Sequence, residues 1–367
     1  MGKQKRTRTT REAGATLDRR QFLGAGAVLG SGGLLASLGL SQYAAAQSGA
    51  PGAGRPALPP EPAVSQPPPL KDLKGKVAYI TAASDGIGLG IARAASNAGM
   101  KVVIGYRNEA RLKAALPLFK PGNAGVLPVK HDVTDREGWK SVLEQIKKEY
   151  GKLHLVVNNA GVKTLRPASQ AKYDEWDNAV AVNVTAIVNS VVVCLPHMLE
   201  HGEGGHFVTT SSMSGLLPAV TAGVYTATKI AAVAVMEALR VELESTNIGT
   251  SAFCPGPVNT DNYAGSDQQN PNRPAGAQNF MSVMMDPLEA GERVLHGVVN
   301  NDLFIISHPE FKPGMQERFD AIMASTPPVE APIPQARIDY EARVIRCGIY
   351  NRETAHRKVK RKSYRTV

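Results

Sequence analysis

Tyr225 and Lys229 lie four residues apart in the stretch Tyr225-Thr226-Ala227-Thr228-Lys229. On a helix that spacing puts both on one face, one turn apart. A phenol has an ordinary pKa of about 10, too high for efficient proton exchange near neutrality. A neighbouring ammonium favours the phenolate and lowers that value. A hydroxyl beside the pair would complete an acid–base set by donating to an oxygen on which negative charge develops. Ser211, Ser212 and Ser214, at the end of an apolar run, compete for that role. Asn183 sits in a long helical stretch, where an asparagine is mildly unfavourable. On its own it reads as a helix kink or a packing contact.

A second constellation binds rather than reacts. The apolar run Lys76 to Thr81 leads straight into Thr81-Ala82-Ala83-Ser84-Asp85-Gly86-Ile87-Gly88 and then into helical spacing. Gly86 and Gly88 let the backbone approach a pyrophosphate. The helix start supplies free N–H groups and the positive end of the helix dipole. The position of the glycines directly after the first strand gives the pattern its weight.

These groups need a scaffold, and the chain supplies an alternating one. Strands are expected at 76–81, 102–104, 126–129, 153–157, 205–210, 250–254 and 303–306. Helices are expected at 86–98, 109–116, 134–150, 173–199, 223–243, 286–298 and 314–323. Short apolar strands separated by helices imply a single α/β domain. It is a Rossmann-type, doubly wound parallel sheet in three α/β/α layers, with ligands at the carboxyl ends of the strands.

Taken in order, the landmarks are the Thr81–Gly88 loop, His131-Asp132-Val133, Asn158-Asn159-Ala160-Gly161, Asn183-Val184, Ser211-Ser212, Tyr225 to Lys229, and Pro255-Gly256-Pro257-Val258-Asn259-Thr260. Residues 73–325 thereby resemble the short-chain dehydrogenases/reductases. The resemblance implies an NAD(P)-dependent oxidoreductase that moves a hydride between nicotinamide and a carbonyl or secondary alcohol. It implies Tyr225 as general acid/base and Lys229 as its partner and as a holder of the nicotinamide ribose. Ser212 becomes the carbonyl donor, because its interval of thirteen residues to Tyr225 matches the family, and Asn183 the holder of a relay water. Thr81, Ser84, Gly86, Ile87 and Gly88 would cradle the cofactor. Asp132 and Val133 would frame the adenine, and Asn159, Ala160 and Gly161 would line the ribose side. Pro255, Gly256, Val258 and Thr260 would wrap the nicotinamide end. Ala82 departs from the pattern, standing where the family has glycine. Arg107, after a second strand that ends without an acid, favours NADP over NAD by pairing with a 2′-phosphate. Its alternative is a solvated helix start. The family also implies a homo-oligomer paired through long helices. A non-catalytic nucleotide-binding or redox-sensing module is the competing reading.

The formal charge of +10 belongs to the ends of the 367-residue chain. Residues 1–47 hold seven Lys/Arg against two acids, and residues 337–367 hold ten against three. The tail, residues 326–367, has no recognisable nucleic-acid motif and reads as a solvated or unstructured appendage. At the other end, Asp18-Arg19-Arg20-Gln21-Phe22-Leu23, a glycine-diluted apolar run to Leu40 and Ala44-Ala45-Ala46 resemble a twin-arginine export signal in residues 1–47. The expectation is a partner in the Tat translocase and a periplasmic location. An uncleaved membrane anchor and a cytoplasmic protein with a basic leader are the alternatives. Residues 48–72 are rich in Pro and Gly and read as a tether. Residues 261–286 begin as a polar loop. Phe280, Met281, Val283, Met284 and Met285 then form an apolar patch suited to a substrate lid or a packed helix. Three cysteines without metal spacing imply reduced thiols, and the eight histidines form no HExxH cluster, so no metal is expected.

Overall fold

The structure is a computed structural model describing residues 66–120, 125–219, 221–260, 283–342 and 347–358. Seven strands form one parallel sheet: β1 Val77–Ile80, β2 Lys101–Tyr106, β3 Val126–Lys130, β4 Leu155–Asn158, β5 Gly205–Thr210, β6 Ile248–Cys254 and β7 Phe304–Ile306. Their order is β3-β2-β1-β4-β5-β6-β7. The doubly wound sheet expected from the alternating pattern is present. β1 pairs with β2 on one side and β4 on the other, so the winding reverses there and a crevice opens at the carboxyl ends. Pro128 lies in β3, an edge strand, where a missing N–H is tolerated.

The helices are α1 Gly86–Asn97, α2 Glu109–Ala115, α3 Arg136–Tyr150, α4 Tyr173–Val180, α5 Ala186–His201, α6 Gly223–Leu243, α7 Pro287–Asn300 and α8 Lys312–Ala324. Local capping explains several starts. Asn108 accepts from the Arg111 N–H, Asp135 from Glu137, and Asp286 from Leu288 ahead of Pro287. Between α4 and α5 the helix widens into one π turn, Ala181–Thr185.

Strand alternation splits the core into two faces. Tyr79, Val103, Val156 and Phe207 pack with Trp139, Ile187, Met198 and Met236 on one face. Ile80, Ile104, Val157 and Phe253 pack with Ile91, Val294 and Leu295 on the other. Cys194 and Cys254 are free and buried, and Cys347 is free and half-buried.

Both ends of the expected domain extend further than the sequence pattern suggests. The last residues of the Pro-rich stretch are docked. The Gln66 amide donates to the carbonyls of Leu243, Thr246 and Ile248, and Asn301 donates back to Gln66. Leu70 is buried. The basic tail carries α9 Gln335–Tyr340 and α10 Ile349–Arg357. Ile349 is buried, the buried Arg352 pairs with Glu244, and the Glu353 carboxylate accepts from the Leu303 N–H at 3.2 Å. Arg357 pairs with Asp302 at 3.0 Å. Alternating salt-bridge partners gave these residues no apolar periodicity to reveal the docking. Residues 1–47, for which an export signal is expected, most of the expected tether, and Phe280 and Met281 lie outside the described residues.

Candidate functional site

The sequence-nominated residues converge on one rim. Thr81, Ser84, Gly86, Ile87 and Gly88 follow β1, and Arg107 follows β2. Asp132 and Val133 follow β3, and Asn159, Ala160 and Gly161 follow β4. Ser212 follows β5, while Pro255, Gly256, Val258 and Thr260 follow β6. Parallel strands place all these loops at one end of the sheet.

At the winding reversal, Thr81 Oγ1 accepts N–H bonds from Asn159 at 2.8 Å and Ala160 at 2.9 Å. The Asn159 amide donates to the Thr81 carbonyl at 3.1 Å and accepts from Thr210 Oγ1 at 3.3 Å. Asn159 therefore clamps the ends of β1, β4 and β5. A Cβ on Gly88 would stand 2.5 Å from both the Ala82 carbonyl oxygen and Asn159 Nδ2, so only glycine fits. Gly86 has φ of 51°, and no side chain caps the start of α1. This leaves a backbone cradle of N–H groups shaped for a pyrophosphate. Ser84 is buried, and Ile87 packs on the core. Ala82 has φ of 50°, in the region that favours glycine, so the departure from the family pattern carries backbone strain.

Arg107 pairs with Asp132 at 3.2 Å between the ends of β2 and β3. Asp132 also accepts from the Thr134 N–H at 3.0 Å and Oγ1 at 2.7 Å, and these bonds, with Arg107, hold its carboxyl below the ordinary value. Val133 is buried, and its carbonyl accepts from Trp139. Arg111, which the sequence pattern did not single out, pairs with Asp85 of the cradle loop. Arg111 lies in the first turn of α2, capped by Asn108, and no spacing in the sequence tied it to the cradle loop.

The reacting end lies between β5 and α6. Ser212 caps a short turn, its Oγ accepting the Ser214 N–H at 3.1 Å, and its hydroxyl favours the Tyr225 phenolate. Ser211 is excluded from the role, because its Oγ donates to the Lys229 carbonyl at 2.8 Å. Lys229 is buried and donates to the Thr210 carbonyl at 2.8 Å, with its Nζ 5.5 Å from the centre of the Tyr225 ring. Burial lowers the Lys229 pKa to about 8. The expectation that this ammonium depresses the Tyr225 pKa needs correcting. Burial pushes the Tyr225 phenol up, and the Ser212 hydrogen bond opposes that shift. The physical reason is that Lys229 is turned to a backbone carbonyl and is itself desolvated.

Asn183 is buried at the centre of the π turn. Its Oδ1 accepts from the Val162 N–H at 2.9 Å, and its Nδ2 donates to the Val162 carbonyl at 3.0 Å and to Thr228 Oγ1 at 2.9 Å. Both Asn183 Oδ1 and Lys229 Nζ lie 3.3 Å from the position a Gly161 Cβ would take. The widened turn thus brings an amide and an ammonium to either side of one glycine. Thr210 and Thr228 are site residues with no sequence signal of their own, since they act through a carbonyl and a clamp. Pro255 accepts from the Met213 N–H at 2.9 Å, Val258 is buried, and the Thr260 methyl faces Gly86.

A family model described as short chain dehydrogenase matches residues 76–271. A curated C alpha-dehydrogenase of Sphingobium sp. (strain NBRC 103272 / SYK-6) is 31% identical over 286 residues, covering 74% of this chain and 93% of that protein. The solved apo form of LigO from Sphingobium sp. strain SYK-6 is 30% identical with a TM-score of 0.61, over 80% of this chain and 100% of that one. A short chain dehydrogenase/reductase from Burkholderia phymatum, solved in complex with NAD, is 26% identical with a TM-score of 0.63, over 72% of this chain and 99% of that one.

Proposed function

Because the chain belongs to the short-chain dehydrogenase family and is an NAD(P)-dependent oxidoreductase acting on a small molecule, we propose that Ser212, Tyr225, Lys229 and Asn183 carry its reaction on a carbonyl or secondary alcohol. The observation that carries this reading is the buried Lys229 with its Nζ 5.5 Å from the centre of the Tyr225 ring, at the same sheet end as Ser212 and the Gly86–Gly88 cradle. The cradle fits a dinucleotide, since no side chain caps the N–H groups at the start of α1. When bound, the nicotinamide supplies or accepts the hydride.

The chain's own residues do the rest. Ser212 donates to the substrate oxygen and holds the carbonyl in place. Tyr225 gives its phenolic proton to that oxygen in reduction and takes it back in oxidation. Burial keeps the phenol protonated, which suits proton donation. Lys229, with its pKa lowered to about 8, exchanges protons near working pH. Asn183 fixes the Val162 backbone and thereby the wall opposite Lys229. Oxidation of a panel of secondary alcohols and reduction of ketones, with Tyr225→Phe as control, tests the assignment.

NADP is the preferred cofactor in this reading. Arg107 is exposed at the end of β2, and the cradle's Asp85 is neutralised by Arg111, which removes its repulsion toward a 2′-phosphate. Comparing NADPH and NADH affinities, in the wild type and in Arg107→Ala, tests the preference. Val188 and Val192, one turn apart on α5, expose apolar surface and support helix pairing between two copies. Light scattering on the eluting protein reads the mass.

The Arg19-Arg20 leader sends the chain through the twin-arginine translocase to the periplasm. That route carries folded proteins, so residues 73–325 leave with nucleotide already held, and residues 48–72 tether the domain to the leader. N-terminal sequencing of the mature chain from fractionated cells tests export. A protein found only in the cytoplasm, with its leader intact, removes the reading.

A further inference from the structure

The loop Pro255–Thr260 joins the two halves of the site. At Pro255 its carbonyl accepts from Met213, the residue after Ser212, and at Thr260 its methyl lies against Gly86. A dinucleotide bound between the cradle and Tyr225 would be held by this loop. The loop's middle is held by a side chain from the far end of the domain. The Gly256 N–H donates to His308 Nδ1 at 2.9 Å, and His308 Nε2 meets the Pro257 carbonyl at 3.1 Å. The two backbone groups dictate the ring's state. A backbone N–H can only donate and a carbonyl can only accept, so Nδ1 is bare and Nε2 carries the proton.

The ring is itself fixed. His308 is 7% exposed, Ser307 Oγ lies 2.8 Å from Nδ1, and Phe311 meets the ring edge-on at 6.3 Å between centres. Arg293 of α7 donates to the Ser307 carbonyl at 3.2 Å while pairing with Glu289. A Cβ on Gly256 would stand 2.6 Å from the imidazole Cγ, so the close approach of ring to backbone requires glycine. From the other side, the Met285 N–H donates to the Pro257 carbonyl at 3.2 Å, and the Asn259 N–H to the Met285 carbonyl at 2.9 Å.

We propose that His308 is a positioning residue that sets the loop at the nicotinamide end of the cofactor, so that it governs binding of the nicotinamide half and not of the adenosine half. This rests on the dehydrogenase reading of the same site. Two hydrogen bonds to the backbone of adjacent residues, Gly256 and Pro257, fix the loop's orientation, which one bond would leave free to rotate. Neither bond touches the cradle at Gly86–Gly88 or the Arg107 side.

The test compares ligands with and without the nicotinamide. The purified mature chain is titrated with NADPH and NADH, and with ADP-ribose and its 2′-phosphate, by calorimetry. His308→Phe keeps a flat ring but offers neither acceptor nor donor. It weakens the preferred dinucleotide about tenfold or more, the scale of one to two lost hydrogen bonds, and leaves the ADP-ribose ligands within about twofold. His308→Gln, whose amide has both an acceptor and a donor, restores most of the loss. If His308→Phe does not fold, Gly256→Ala, which drives a methyl into the ring, gives the same split. Equal weakening of both ligand classes, or of neither, overturns the role of His308. Failure of the unaltered chain to bind any dinucleotide overturns the dehydrogenase reading as well, so the two failures are distinguishable.

Discussion

Lys229 aims its Nζ at the carbonyl oxygen of Thr210, 2.8 Å away, from a helix position one turn after Tyr225. A buried ammonium is thus held by backbone at the end of β5 and not by a carboxylate. Its desolvation is only partly offset, which is why its pKa falls to about 8.

A stability cost follows from that burial. Between pH 8 and 10.5 an unfolded lysine is protonated and the folded Lys229 largely is not. The unfolded state then binds more protons, so stability rises with pH across that window. Lys229→Met should stabilise the fold by roughly 1–2 kcal/mol at neutral pH while abolishing turnover. Urea midpoints at pH 7 and pH 10 check it, the gap between them shrinking in the variant.

Tyr225→Phe removes the phenolic hydroxyl beside Ser212 and Lys229. Dinucleotide affinity should stay within about threefold, while hydride transfer falls by about three orders of magnitude. Single-turnover absorbance of the reduced nicotinamide, beside a binding titration, measures both. Near-normal transfer would remove Tyr225 from the mechanism.

Ala82 sits at φ 50° in the cradle loop. Ala82→Gly should raise stability by about 0.5–1 kcal/mol, since the strain relieved exceeds the added freedom of the unfolded chain. Chemical denaturation checks this, with a lower midpoint than wild type as the contrary result.

Three imidazoles at the opposite end of the sheet each accept a backbone N–H. They are His154 from Val77, His197 from Leu153, and His201 from Glu203. Burial lowers the pKa of His154 and of His197, with the nearby Lys76, Lys147 and His201 adding repulsion and Glu203, Glu200 and Glu144 opposing it. Below about pH 6.5 the unfolded state binds more protons at these sites, so they cost stability as pH falls. Thermal midpoints from pH 7.5 to 5 should drop. The fall should be shallower in His197→Gln, whose side chain does not titrate.

Glu353 of α10 accepts the Leu303 N–H, pairs with Arg357 at 2.8 Å and faces the buried Arg240. Glu353→Ala leaves the Leu303 N–H without its acceptor and weakens the charge balance around Arg240, and should destabilise by about 2 kcal/mol. A loss below about 0.5 kcal/mol by denaturant titration would return the tail to the status of an appendage.

Much of this protein was legible without coordinates. The alternation of apolar strands with helices fixes a parallel sheet, because buried strands and helices repeat with different periods. The motifs fall after strands, so a parallel sheet alone gathers Thr81, Asn159, Ser212 and Pro255 at one rim. Spacing along a helix placed Tyr225 and Lys229 together. The tertiary structure decided what depends on groups distant in sequence. It turned Ser211 into the α6 backbone and left Ser212 facing Tyr225, and it widened the helix at Asn183 onto Val162. It also docked Gln66 on Leu243 and α10 on the end of β7. Periodicity reports which face of an element is buried. Hydrogen-bond direction and desolvation depend on which partners the fold brings to that face, and those partners lie tens to hundreds of residues away.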